Sequence, residues 1–272
     1  MKTIGEVLKL SQSFLEERKI DRPRRTAEDL LSNVLKLKRL DLYLQFDKPV
    51  IDGELALLRD LLKKCGRGEP LEYVIGGLEF FGCWIKTDPR VLIPRPETEI
   101  LVDLISQRVR SGVLWDLCTG SGCMGIALKK KWPELKVTLS DISADALALA
   151  AENAKQNGVE VELVQGDLLD PFRGRKADVI VCNPPYISQS EYDHLSPSVR
   201  DFEPKGALLG GERGTEFYER LQRELPPFLN PGAQVFFEIG ARQGEALKKL
   251  FPQGEILPDW AGHPRFLIKK FT

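Results

Sequence analysis

The stretch DLCTGSGCMGIAL, Asp116 to Leu128, joins two different hydrophobic rhythms. The run VLWDL that leads into it reads as a short strand, and CMGIALKKKW that leaves it reads as a helix. Between them stands Gly120-x-Gly122-x-x-Gly125. Glycine allows positive φ in a tight strand-to-helix turn and lets a ligand approach the backbone closely. Asp141 follows Gly122 by 19 residues, at the end of the next predicted strand, KVTLSD. A carboxylate there can accept hydrogen bonds from both hydroxyls of a ribose. Strand, glycine turn, helix and acid at this spacing predict a nucleoside-binding site.

The same rhythm continues outward. ADALALAAENAKQNG is a helical run closed by Gly158, VELVQGD and ADVIVCN are strands, and EFYERLQRELPPFLN is a helix ended by Pro226 and Pro227. AQVFFEIG is a strand, RQGEALKKLF a helix and RFLIKKF a last strand. Alternation of this kind predicts an α/β fold with a mostly parallel sheet covered on both faces. Before it, LEFFGCWIKTD predicts a β-hairpin with Gly82 near the turn, and the first ~75 residues carry helical spacing. A second helix is expected from Thr26, with Glu28 and Asp29 in its first turn, and another from an Asp52 N-cap to a stop at Gly66.

In open parallel sheets, ligands bind at the carboxyl ends of the strands. Asp116, Asp141, Asp167 and Asn183 all fall at such ends. Asp116 suits an ammonium group or braces the loop. Asp167, or the backbone N–H of Leu168, suits an adenine. NAD(H) and S-adenosylmethionine both satisfy this pattern: the first places a pyrophosphate at the helix N-terminus, the second its amino-acid part by the loop. The loop alone leaves both open.

The fourth strand ends in DVIVCNPPYIS, Asp178 to Ser188. Pro184 and Pro185 fix two successive φ angles and offer carbonyls without N–H groups. The Asn183 side-chain oxygen and the Pro184 carbonyl therefore form a rigid pair of acceptors, suited to a planar –NH2 group. Tyr186 offers a face for that flat group and a π-surface for a nearby sulfonium. Such a nitrogen is a poor nucleophile because its lone pair is delocalised. Two acceptors that hold both hydrogens aim its out-of-plane lobe at an electrophilic methyl, and orientation then supplies much of the catalysis.

Composition bounds the remaining classes. The 272 residues are 42% hydrophobic and 29% charged, with a net charge of -1, so no global basic field attracts nucleic acid. No apolar run approaches the ~20 residues needed to span a membrane, and the first residues lack a signal-peptide core; a cytoplasmic location is expected. Five cysteines without a C-x-x-C pair, and two distant histidines, predict neither a zinc site nor a disulfide framework.

Asn-Pro-Pro-Tyr with DLCTGSG and Asp141 resembles the S-adenosylmethionine-dependent amino-methyltransferases, whose targets are adenine N6, guanine N2 or a glutamine amide. VLIPRPETEILVD (Val91–Asp103), VRDFEPKGALLGGERGTEFY (Val199–Tyr218) and FFEIGARQGEAL narrow the resemblance to the protein-(glutamine-N5) methyltransferases of peptide chain release factors, the HemK/PrmC family. The resemblance covers essentially the whole chain. It implies a Rossmann-like class I methyltransferase with a mostly parallel seven-stranded sheet at 91–272, a linker with a hairpin at 76–90, and a helical substrate-docking domain at 1–75. It implies methyl transfer from S-adenosylmethionine to the glutamine of the Gly-Gly-Gln loop of class I release factors; separately from the resemblance, a monomer without a metal is expected. Cys118, Thr119, Gly120, Ser121, Gly122, Asp141, Asp167, Leu168 and Asn183 would line the cofactor. Asn183, Pro184, Pro185 and Tyr186 would hold the glutamine amide. Two positions depart from the family pattern: Cys118 stands where glycine is usual, and Leu168 where some relatives carry an aromatic.

Bland roles stand beside these. Arg95 and Glu97 either brace the crevice wall or form a surface ion pair, Glu203 and Glu238 are structural, and Lys129–Lys131 is a solvated helix end. The alternative activity is a DNA or rRNA amino-methyltransferase, against which the net charge argues. An NAD-dependent oxidoreductase lacks an acid-base group at the sheet edge, and a nucleoside-binding module without chemistry leaves the acceptor pair unexplained.

Overall fold

The computed structural model describes all 272 residues, which form two compact units: residues 1–76 with 197–202, and residues 77–196 with 203–272. The first unit is helical: α1 (Ile4–Glu17), α2 (Pro23–Leu35), α3 (Arg39–Leu44), α4 (Asp52–Cys65) and α5 (Leu71–Ile75). Leu15, Leu30, Leu31, Leu42 and Val50 are fully buried in its core. Two helix starts differ from the sequence expectation. Helix α2 begins at Pro23, because proline at the first helical position forfeits no hydrogen bond and brings its φ preset. Glu28 and Asp29 therefore lie beyond the first turn, where Glu28 pairs with Arg24 and Arg39. Asp52 is the first helical residue of α4, not its cap; the Ile51 N–H donates to the Glu54 carboxylate at 3.0 Å.

The second unit opens with the hairpin β1 (Leu78–Phe80) and β2 (Cys83–Ile85), followed by α6 (Pro96–Arg108). Then come β3 (Gly112–Leu117), α7 (Cys123–Lys131), β4 (Leu135–Asp141), α8 (Ala144–Asn157), β5 (Glu162–Gln165) and β6 (Ala177–Cys182). Short pieces follow: β7 (Ile187–Ser188), α9 (Gln189–Tyr192), α10 (Pro197–Arg200, within the first unit), α11 (Lys205–Leu208) and β8 (Leu209–Gly211). The chain ends with α12 (Glu216–Glu224), β9 (Leu229–Glu238), α13 (Gly244–Leu250), β10 (Glu255–Pro258) and β11 (Pro264–Lys270).

Seven strands make one sheet in the order β10-β11-β9-β6-β3-β4-β5. The five from β9 to β5 run parallel, and β11 and β10 add antiparallel pairs at the β9 side. Strand side chains alternate between two cores. Leu114, Val179, Val181 and Phe236 face the core that holds Leu101 and Ile105 of α6 and Ile126 of α7, whereas Trp115, Ile180, Cys182 and Phe237 face the one that holds Leu221 of α12 and Leu247 of α13. Burial on both faces is why these strands read as continuous apolar runs. Strand β10 was not anticipated: Glu255–Pro258 is four residues long, ends in proline and is exposed or half-buried, so only pairing with β11 defines it. No helix is long and apolar enough to cross a membrane.

Two buried polar side chains set the turn after β3. Asp116 is fully buried, and one of its oxygens accepts from Thr119 Oγ1 at 2.8 Å and from Gly125 N–H at 2.9 Å. These two bonds brace the loop, while the other oxygen of Asp116, Oδ1, is buried without a hydrogen-bond partner. Burial pushes its carboxyl up to about 7, against the pull of those two hydrogen bonds. Asn153, also fully buried, accepts from Lys86 N–H at 2.8 Å and donates to the carbonyls of Lys86 and Ser121 at 3.1 and 2.9 Å. It ties the end of the hairpin to the glycine loop.

Truncation by Asn153→Ala strands these backbone groups in the interior, and a loss of roughly 2–3 kcal/mol is expected from denaturant unfolding; a loss below about 0.5 kcal/mol would contradict the tie. Stability should also depend on pH through Asp116. The folded carboxyl keeps its proton up to about 7, while the unfolded one releases it near ~4. The unfolded state then binds fewer protons over that interval, so stability falls as pH rises from ~4 through ~7. Asp116→Asn should flatten this slope, read as the change in unfolding midpoint between pH ~5 and ~8; an unaltered change rules the assignment out.

Candidate active site

Register brings the strand ends into one row. Leu117 lies level with Cys182 of β6 on one side and with Ser140 of β4 on the other, and Asp141 lies level with Gln165 of β5. The residues that follow are Cys118, Asn183 and Gly166-Asp167. The chain runs from β3 out to β5 and returns to β6 on the other flank of β3, so β3 and β6 enclose the switch point where open sheets bind ligands.

A cavity of about 490 Å³ opens at this edge, lined by Cys118, Thr119, Gly120, Ser121, Asp141, Asp167, Leu168, Asn183 and Pro185 among others. That size suits a small organic ligand. Gly122, Pro184 and Tyr186 are absent from the lining. Gly122 is the N-cap of α7 at φ +80°, and a Cβ there would stand 2.8 Å from Ile126 Cδ1. Tyr186 faces a neighbouring groove with His194, Gln243 and Arg265, and burial raises its phenol above the ordinary range.

Asp141 is held by the loop it serves. One oxygen accepts from Gly120 N–H at 2.9 Å and the other from Ser143 N–H at 3.0 Å. Burial raises its carboxyl despite those bonds. A carboxylate has about four acceptor positions, so each oxygen keeps one for a ligand. Asp167 is paired with Arg220 of α12 at 2.5 Å. Cys118 and Leu168 both adopt left-handed backbone, at φ +54° and +47°. For residues with a Cβ this costs on the order of 1–3 kcal/mol, and it clusters where a ligand is held. It also explains why glycine suits position 118.

Asn183 stands beside these groups, and its Oδ1 is buried without a hydrogen-bond partner. Unpaired buried acceptors are costly and rare, so this one marks a place for a donor.

Glu238, Glu203, Arg220 and Phe217 add to the site, and Arg95 takes the first of its two expected roles with Glu203, not Glu97, as partner. Glu238, level with Phe266 at the end of β9, is buried and accepts from Thr98 Oγ1 at 2.7 Å, and burial pushes its carboxyl up to about 7. A glutamate inside the apolar run VFFEI was the available signal. Arg95 donates to Glu203 at 2.6 Å, and the other Glu203 oxygen accepts from Ile93 N–H at 3.0 Å. With Glu203 buried, this pair braces the wall formed by Pro94 and Pro204 rather than lying on the surface. Arg220 and Phe217, both on the cavity wall, carried no sequence signal. No group of three His, Cys, Asp or Glu side chains is arranged to hold a metal ion.

Comparison with known proteins follows the two units. Residues 96–199 match the family described as Methyltransferase small domain, and residues 6–76 match the PrmC N-terminal domain. The release factor glutamine methyltransferase of Geobacter sulfurreducens is 39% identical over 92% of this chain and 88% of its own length. The protein of the same name from Bacillus cereus is 40% identical over 97% and 98%. Among solved structures, a methyltransferase from Pyrococcus furiosus superposes with a TM-score of 0.54 at 23% identity, covering 70% of this chain and 89% of that one. A Thermus thermophilus 16S rRNA N2-G1207 methyltransferase gives 0.53 at 15% identity, covering 72% and 50%. These two share the fold. Identity near 40% over almost the entire length, with both units matched, makes the chain a member of the release factor glutamine methyltransferase family.

Proposed function

We propose that this methyltransferase moves a methyl group from S-adenosylmethionine to the side-chain amide nitrogen (N5) of the glutamine in the Gly-Gly-Gln loop of class I peptide chain release factors, in the cytoplasm. The observation that carries the reading is Asn183 Oδ1, a buried acceptor without a partner beside a nucleoside-sized cavity. The names of relatives near 40% identity support the choice of substrate.

The residues fit the cofactor. Asp141 retains an acceptor position on each oxygen for the ribose hydroxyls, residues 118–121 of the turn face the amino-acid part, and Leu168 with Asp167 meets the adenine. When bound, the cofactor supplies an electrophilic methyl on a sulfonium. The chain's own part is orientation. Asn183 Oδ1 and the Pro184 carbonyl take the two amide hydrogens, and the nitrogen lobe is left pointing into the cavity. Tyr186, which lines the neighbouring groove, backs this turn instead of the amide plane. No strong base is required beforehand, because the proton leaves after the nitrogen is alkylated. The helical unit, with Leu40 and Leu44 exposed at 70% and 75%, is assigned to docking the protein substrate.

The decisive experiment incubates the protein and radiolabelled S-adenosylmethionine with a release factor, with its Gln→Ala loop variant, or with unmodified DNA and rRNA. Label is expected on the release factor alone; label on nucleic acid alone overturns the reading. Asn183→Ala should lower kcat by about 100-fold, the scale of losing one preorganised hydrogen-bonding group in a transition state, with cofactor affinity changed little. Asp141→Ala should weaken cofactor binding by about tenfold or more, measured by calorimetry; an unchanged Kd contradicts the ribose assignment.

A further inference from the structure

The Asn-Pro-Pro-Tyr turn is backed by glycines. Strand β7 pairs in parallel with β8, Ile187 level with Leu209 and Ser188 with Gly211, with an irregularity between them. A Cβ on Gly210 would stand 2.5 Å from the Pro185 carbonyl oxygen and 2.8 Å from Tyr186 Cα. A Cβ on Gly214, at φ +78°, would collide with the Tyr186 carbonyl oxygen and lie 3.0 Å from Gln243 Nε2. So GGERG, within the segment that follows the motif, approaches the motif's main chain as closely as only glycine permits.

One side chain closes this contact. Gln243 Nε2 donates to the Tyr186 carbonyl at 2.9 Å and to the Gly214 carbonyl at 2.9 Å. Its Oε1 accepts from Gly240 N–H at 2.9 Å. Gln243 occupies the N-cap position of α13, yet its side chain makes no cap bond there and turns back to these three groups. Two N–H donors and one acceptor on a single planar group match two carbonyls and one amide, and only a carboxamide offers that set. Asparagine is one methylene shorter, and glutamate presents an acceptor where a donor is needed.

We propose that Gln243 is a positioning residue for methyl transfer: by fixing the Tyr186 main chain against Gly214 and Gly240 it sets the Pro184 carbonyl beside Asn183. The prolines transmit the constraint. Pro185 presets one of the torsions between the pinned Tyr186 carbonyl and the Pro184 carbonyl, and Pro184 presets the torsion just before that carbonyl. A misplacement of about 1 Å in such a site can cost on the order of 100-fold in rate. The catalytic part of this inference rests on the amide-methylation reading; the structural part does not.

Two readouts test it separately. In Gln243→Ala, hydrogen exchange across residues 183–190 should quicken about tenfold or more, while exchange across residues 118–125 stays at the wild-type rate. In Gln243→Glu, kcat for release-factor methylation should fall at least about tenfold at pH ~8, with cofactor Kd within about twofold of wild type. That kcat should partly recover as the pH is lowered and the new carboxyl becomes a donor to Tyr186. Wild-type exchange at 183–190 in Gln243→Ala overturns the proposal, as does a wild-type kcat and pH profile in Gln243→Glu. If the wild-type protein leaves the release factor unlabelled, the functional reading fails, and the exchange measurement still decides whether Gln243 holds the turn.

Discussion

Four parallel strands that end in one row impose the chemistry of this protein. A parallel ladder carries no freedom to slide by one residue without turning every side chain to the opposite face. Leu117 and Cys182 are buried in the same core, so once they pair, Cys118 and Asn183 must emerge side by side. The pairing of β3 with β4 and of β4 with β5 carries Asp141 and Asp167 to the same edge. The cavity is a consequence of that row and of the reversal in strand order at β3.

Polar groups placed at such an edge sit partly in the interior, and the fold satisfies them by bonding the loops they hold. Asp116 braces the glycine turn from beneath, Asp141 from the end of β4, and Asn153 from α8. Glu203 does the same for the wall that contains Arg95. Each uses a side chain to replace the ladder that a turn cannot have, which keeps backbone groups paired where water is excluded. Asn183 Oδ1, Asp116 Oδ1 and Ser140 Oγ are the exceptions in this network, buried without partners among groups that are paired. Left-handed backbone at Cys118 and Leu168 adds local strain in the same cavity. Unpaired acceptor and strained turns at one place are the features expected where binding, not stability, has set the residue choice.

Some of this was legible in the chain itself. The apolar runs at 113–117, 177–182 and 234–239 are continuous because both faces of their strands are covered, and that signature identifies a parallel sheet. The glycine spacing, the acid 19 residues beyond Gly122 and the two prolines after Asn183 are local constraints written in adjacent residues. Where the reading slipped, at the start of α2 and at β10, the deciding interactions were a proline's preset φ and a pairing partner distant in sequence.

The sequence by itself therefore determined the α/β class, the helical first unit, the strand ends that carry Asp141 and Asn183, and a resemblance specific enough to name a family. Tertiary structure alone decided which carboxylates face the cavity and which brace it. Asp116 and Asp141 look alike in sequence, but Asp116 is wholly buried beneath the loop and Asp141 lines the cavity. It alone joined Glu203 to Arg95, Asp167 to Arg220, and Gln243 to Tyr186, residues 108, 53 and 57 positions apart. Periodicity and spacing report on neighbours along the chain. The partner of a buried polar group is chosen by what the folded backbone brings within about 3 Å of it.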